Sequence, residues 1–449
     1  MRLSRLGKVG VAAFIVIAAF FHFWRIGQAD IITDESSYAT RAIGMVDFDF
    51  GIEQPTPWQW VEAIPDWMRF SFHDHPPLVF LLQHWSIALF GQTPFAIRLP
   101  SVLAGLASVA FVWLIARRWF GDHVALAAAA LFAATVGHLW IARIGLQESI
   151  LIAFMLGTAW LFIEGLERIG RGSSGGGWHI AAAGALFGLA FLAKYNALII
   201  APIFATWMLI RFGRDRRVWR HMFVSGALGA LLFVIIASPV IVYNVQLWRQ
   251  FGHFDFQFSL LIGQDVAAWQ ARPGQESLGD TANRIRNFVP WLVDANSPYF
   301  LALAAAGIAG AGWMAARQRS AGALGLLLAI GWMLPFLIFI GPAYRFLTLL
   351  TPWLAIAAGL ALWNMSGGLA HALRHSNILE NVGMNATRVF VVIGAGVVAV
   401  ESLYSINTLV RLEPVGREPW AYATIRRQSD TWGFNELEQF LAIELAGMM

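Results

Sequence analysis

The chain is predicted to be an all-α integral membrane protein, a bundle of about eleven transmembrane helices with interfacial helices in its first external loop. Three observations predict it. Of 449 residues, 58% are hydrophobic and only 13% charged. The apolar runs repeatedly approach the roughly 20 residues that cross a hydrocarbon layer as helix. The basic residues collect in alternate loops, as the positive-inside bias requires. Length alone would allow two or three soluble domains, but composition decides against that reading. With no cysteine, disulfides and Cys-ligated zinc or iron–sulfur sites are excluded. A net charge of +4 is no more than basic cytoplasmic loops supply, so it gives no reason to expect nucleic acid.

The expected spans are 8–26, 97–117, 122–142, 148–166, 179–194, 196–211, 221–243, 297–316, 321–341, 347–364 and 388–407. The basic start, Met1 to Lys8, suggests a signal peptide, but the apolar run continues to Trp24 without a small-residue cleavage site, so it reads as a retained first helix. Pro76–Phe90 opens with two prolines, carries Gln83 and His84, and is too short to span; it reads as an interfacial helix. With that segment lying flat, Arg2, Arg5, Lys8, Arg117, Arg118, Arg168, Arg171, the 211–220 arginine cluster, Arg317, Arg319, Arg374 and Arg388 all fall on the cytoplasmic side. The short external loops then hold only Arg143, Lys194 and Arg345. Were it to span, the 211–220 cluster would face outward.

This arrangement makes 1–407 the membrane domain. Residues 28–96 form a first external loop, 244–295 a long external loop, and 408–449 a short external tail, minimal or the start of a truncated domain. Gly172–Gly177 is a cytoplasmic turn with no strand before it, and the Asn385–Thr387 sequon falls on the cytoplasmic side, where chance explains it. Nucleotide-loop, dinucleotide, HExxH and G-x-S-x-G patterns are absent, and no internal repeat is evident.

Polar groups far apart in sequence thus gather on one face, where they line a pathway or a site more often than not. Asp34 precedes an expected amphipathic helix, 37–46. It can cap that helix or accept a proton from an incoming nucleophile, with Glu35 beside it and Glu148 as a second carboxylate. His73-Asp74-His75, held extended by Pro76-Pro77, suits a phosphate or a metal, or simply a turn. Lys194 and Arg345 offer fixed positive charge for a phosphate; the alternative is snorkelling to the interface.

Taken in order, the acidic pair after the first helix, His75-Pro-Pro-Leu78, Ala96-Ile-Arg98-Leu-Pro100, Ala116-Arg-Arg-Trp-Phe-Gly121, Ala142-Arg143 to Glu148, Gly188 to Lys194 and Tyr344-Arg345-Phe-Leu resemble the GT-C superfamily of polyprenyl-phosphate-sugar glycosyltransferases. The nearest branch is that of bacterial and archaeal relatives of protein O-mannosyltransferases and lipid A aminoarabinose transferases. The resemblance covers about residues 8–365. It implies Asp34 as acceptor-activating base, Glu148 as the second external acid, and Lys194, Tyr344 and Arg345 near the carrier phosphate. Asp74-His75 stand where the aminoarabinose branch has an acid followed by lysine, so a phosphate contact through His75 becomes pH-dependent. His253, with Asp74 and His73, is the candidate if a divalent metal is used.

The expected function is therefore inverting transfer of a sugar from a polyprenyl-phosphate-linked donor, on the external face of a cell membrane, to a protein, lipid or glycan acceptor. A transporter or flippase for a lipid-linked or anionic solute is the alternative. Acids inside the membrane or broken helices would favour it.

Overall fold

The computed structural model describes residues 18–31, 34–45, 66–173, 175–264, 279–375, 386–411, 413–428 and 433–448. Among them every regular element is a helix. The first expected span, 8–26, lies largely outside these residues; 18–23 is helical. Two amphipathic or short apolar helices follow, α1 (Asp34–Gly44) and α2 (Leu78–Phe90). The membrane helices are α3 (Pro94–Phe120), the pair α4 (Asp122–Ala134) and α5 (Val136–Ala142), α6 (Gln147–Gly170), α7 (Gly176–Ala193), α8 (Ile200–Phe212) and α9 (Arg216–Phe251). After α10 (Phe256–Leu261) and α11 (Thr281–Asp294) come α12 (Pro298–Gln318), α13 (Ala321–Ile340), α14 (Tyr344–Leu347), α15 (Thr351–His375) and α16 (Ala386–Leu409). A tail helix, α17 (Phe434–Met448), ends the described chain.

Among the described residues nine helices are long and apolar enough to cross a membrane, and the bent pair α4–α5 makes a tenth. At thirteen residues α2 is too short to span, as its prolines and polar residues anticipated. The bundle packs in the order α9, α7, α6, α3, α4, α15, α12. Hydrophobic burial does not drive helices together in lipid, so close approach of small residues matters more. A Cβ on Gly184 of α7 would run into the Gly229 carbonyl of α9, and one on Gly307 of α12 into the Ala357 carbonyl of α15. Gly359 of α15 meets Ala128 of α4 in the same way.

Three expectations need correction. The span expected over 122–142 is broken at Thr135, whose backbone is extended, and its halves diverge by 60°. The hydroxyl of Ser405 donates to the Ala134 carbonyl at the break, and so replaces a lost helical bond. The helix expected from Ser37 begins at Asp34, so Asp34 lies in its first turn rather than ahead of it. The loop expected from 244 is helical to Phe251, because α9 carries on beyond its apolar stretch to a left-handed Gly252. The tail sequence suggests a helix near 435–445, and one is present over Phe434–Met448; Asp30 accepts from the backbone N–H groups of Phe434 and Asn435 at 3.2 and 3.0 Å, which caps α17 from a distant segment.

Candidate active site

Four charged side chains meet at interruptions of the helical chain. Asp34 stands in the first turn of α1, and Glu148 in the first turn of α6, where a helix N-terminus favours an acid. Lys194 occupies the extended residue after α7, before a 3-10 turn over Tyr195–Ile199. Arg345 sits in α14, the single turn between Gly341, at φ 91°, and α15. Breaks of this kind let polar side chains leave the lipid-facing bundle and point at one another.

The four alternate in sign. Arg345 is ion-paired with Asp34, its Nε lies 3.9 Å from Glu148 Oε1, and Lys194 Nζ donates to that oxygen at 2.6 Å. Exposure is graded: side chains are 50% exposed at Asp34, 28% at Arg345, 11% at Lys194 and 0% at Glu148, so the open end of the cluster is Asp34. Burial would lower the Arg345 pKa, but the carboxylates of Glu148 and Asp34 outweigh it and hold the guanidinium above its usual range. Both cations also lie over the Phe346 ring, at 4.7 Å for Lys194 and 5.0 Å for Arg345. The second oxygen of Glu148 is buried without a hydrogen-bond partner among the described residues.

A second layer backs this one. Asp74 receives Arg41 Nη1 at 2.8 Å and His75 Nδ1 at 2.8 Å, and Tyr38 OH lies 3.0 Å from His75 Nε2. With Nδ1 facing the Asp74 carboxylate, Nε2 is the nitrogen placed to accept from the Tyr38 hydroxyl. Burial would raise Asp74, but His75, His73 and Arg41 around it outweigh that and hold it well below the usual carboxylate range. Burial lowers the His75 pKa more than Asp74 raises it, which leaves a neutral imidazole at pH 7. This changes the expectation for His75. Both ring nitrogens face protein groups, Asp74 and Tyr38, and no imidazolium is presented to a phosphate. The ladder instead fixes α1, which carries Tyr38, Arg41 and Asp34, against the loop before α2.

Other candidates also stand elsewhere than expected. Glu35, the catalytic candidate beside Asp34, is 2% exposed and accepts from Arg98 through both oxygens at 2.7 Å and from the Gly145 N–H at 2.7 Å. Arg98 further donates to the carbonyls of Ile26, Ala29 and Asp30. That pair is a clamp between α1, α3 and the end of the first helix, with no side open to a substrate. Tyr344 donates to Asp294 at 3.2 Å, and burial beside that carboxylate pushes it up to about 12; Thr424 of the tail donates to the other oxygen of Asp294. Tyr344 is thus a brace for α14. His73 and His253 lie in neighbouring loops, joined where the Phe256 N–H donates to the His73 carbonyl at 2.7 Å. His253 is 6% exposed, with Nδ1 beside the Phe254 carbonyl. A divalent metal does not fit these side chains. Asp74 gives its two oxygens to Arg41 and His75, and among the described residues no three His, Asp or Glu side chains converge to hold an ion.

Sequence reading passed over two features. Tyr38 is 2% exposed at the heart of the second layer; its place one helical turn after Asp34 was the available signal. Glu401, inside α16, is 2% exposed and accepts from the Ser297 hydroxyl. An acid within an apolar run was legible in the sequence and went unused.

Residues 74–243 match the family model described as dolichyl-phosphate-mannose-protein mannosyltransferase. YkcB of Bacillus subtilis, provisionally named a mannosyltransferase, is 29% identical over 232 residues, which are 51% of this chain and 30% of that protein. The chain therefore spans under a third of that relative. Among solved structures, ArnT from Cupriavidus metallidurans in the apo state is 20% identical with a TM-score of 0.54, over 89% of this chain and 69% of ArnT. The Archaeoglobus fulgidus oligosaccharyltransferase in the apo form is 15% identical with a TM-score of 0.60, over 90% of this chain and 56% of that one. The helical architecture and these likenesses agree on the fold: the chain is a multi-pass membrane protein with the helical fold of ArnT and the oligosaccharyltransferase, and its residues 74–243 are similar to the mannosyltransferase family.

Proposed function

We propose that the protein transfers a sugar from a polyprenyl-phosphate carrier to an acceptor, with inversion, at the membrane face that the arginine distribution assigns to the outside. The observation that carries this reading is the cluster Asp34–Arg345–Glu148–Lys194, a half-exposed carboxylate next to two cations over a buried acid. Asp34 takes the proton from the acceptor O–H or N–H, and that oxygen or nitrogen attacks the anomeric carbon. The bond from that carbon to the carrier phosphate breaks, and its electron pair leaves on the phosphate oxygen. Lys194 and Arg345 stabilise the departing anion, so no strong general acid is needed. Glu148 keeps both cations in place, and its unpartnered oxygen is available to a hydroxyl of the sugar or acceptor.

The Arg345–Asp34 pair gives the order of events. A donor phosphate competes with Asp34 for the guanidinium, so its arrival frees the base next to the reacting carbon. ArnT has been solved with undecaprenyl phosphate bound, which supports a carrier of this class for a chain of the same fold. The sugar is left at the level of hexose or pentose, and the acceptor at protein, lipid or glycan.

A transporter reading has two observations in its favour, the 60° break at Thr135 and the buried Glu401. Against it, Glu401 is bonded to Ser297, and the paired acids and bases sit at helix ends. Purified protein in detergent separates the two, since detergent has no sides to transport between. With undecaprenyl-phosphate-linked mannose or aminoarabinose and envelope acceptors, mass spectrometry is expected to find free undecaprenyl phosphate and a glycosylated product. Intact donor in detergent, with the same lipid crossing a proteoliposome bilayer, would establish the transporter instead.

A further inference from the structure

We propose that Asp255 is a positioning residue for the donor-phosphate grip, acting on Lys194 and on the His73–His75 loop together. The inference rests on the reading of Lys194 and Arg345 as phosphate ligands. Asp255 is fully buried ahead of α10, and its Oδ1 accepts from the Phe258 N–H at 3.0 Å. That bond alone would make it an ordinary helix cap. Its other oxygen does more. Oδ2 accepts from Tyr195 OH at 2.7 Å and from Asn244 Nδ2 at 3.0 Å, while the Asp255 N–H donates to Asn244 Oδ1 at 2.9 Å.

These contacts lead to the site by two routes. Tyr195 is the residue after Lys194, at the extended break where the lysine leaves α7 to reach Glu148. The residue after Asp255, Phe256, donates its N–H to the His73 carbonyl at 2.7 Å, next to the Asp74–His75–Tyr38 ladder. Asn244 belongs to α9, a long membrane helix. One carboxylate thus ties a rigid element to the lysine-bearing break, and its own segment to the loop that holds α1. A buried network with every donor matched keeps such a geometry. An amide at position 255 keeps an oxygen for the Phe258 N–H, but its nitrogen, standing where Oδ2 was, accepts from neither Tyr195 nor Asn244.

The test is the affinity of the full-length protein in detergent for undecaprenyl phosphate, measured per folded molecule for four variants. Asp255→Asn is expected to bind about tenfold more weakly and Tyr195→Phe about threefold, the scale of one or two lost hydrogen bonds to a charged group. Asp280→Ala removes an unrelated cap, the bond to Asn283 N, and is expected to lower melting temperature without changing affinity. Lys194→Ala reports on the underlying reading. Should Lys194→Ala bind weakly while Asp255→Asn and Tyr195→Phe bind as the parent does, Asp255 is only a cap and this inference is wrong, with the phosphate site intact. Should Lys194→Ala also bind as the parent does, the phosphate site itself is misassigned and the inference falls with it.

Discussion

Asp34 and Glu35 are neighbours in sequence, in the same turn of the same helix, and the fold gives them opposite surroundings. Glu35 points into the protein, where Arg98 matches both its oxygens and a backbone N–H completes the shell. Asp34 points to an open cluster, half exposed, and shares one arginine with a buried acid. The first arrangement leaves nothing to react and the second leaves a carboxylate that a ligand can release. Charge type does not separate a structural acid from a chemical one here. Saturation of its partners does.

The comparison breaks most easily on stability. Arg98→Ala leaves the buried Glu35 carboxylate uncompensated and is expected to cost about 3–5 kcal/mol, the usual result of removing one member of a buried pair. Asp34→Asn, at a half-exposed pair, is expected to change stability by less than about 1 kcal/mol. Thermal unfolding in one detergent compares them directly, and equal losses would erase the distinction between clamp and site.

The next effect in size is on the ligand. Arg345→Ala and Lys194→Ala each remove a charge-assisted contact, so undecaprenyl phosphate affinity is expected to fall by about 1.5–3 kcal/mol. If the two cations merely anchor helix ends in the headgroups, binding of that lipid stays at the parental value in both variants.

The smallest effect concerns His75. Its pKa is lowered by burial, so the folded protein binds fewer protons there than the unfolded chain below pH 6.5. Its contribution to stability is therefore intact above the unfolded value and declines as pH falls through 6.5. Carrier affinity is expected to be flat from pH 7 to 8.5, where a phosphate-binding imidazolium would lose affinity. A steady fall across that range would return His75 to the list of phosphate ligands. His75→Gln should flatten the acid side of the stability profile.

Much of this was legible in the sequence, and for nameable reasons. Apolar length and the arginine distribution placed the spans, because a bilayer imposes both. They also gathered Asp34, Glu148, Lys194 and Arg345 on one side before any contact was known. What could not be read was which partner each charge takes. Glu35 and Asp34 look alike until Arg98, 63 residues away, is brought to one of them. His75 seemed to offer a proton because its burial and its contacts with Asp74 and Tyr38 are tertiary facts. The break at Thr135 was hidden because the apolar run continues through it, and the Ser405 hydroxyl at the Ala134 carbonyl comes from the far end of the chain.

The most direct test of the central claim is Asp34→Asn, assayed for undecaprenyl phosphate binding and for sugar transfer on the same preparation. A base that acts only in the chemical step, and that competes with the phosphate for Arg345, predicts binding at least as tight as in the parent and transfer reduced by about 10²-fold or more. Transfer near the parental rate would contradict the account and leave Asp34 as no more than the outer partner of an arginine.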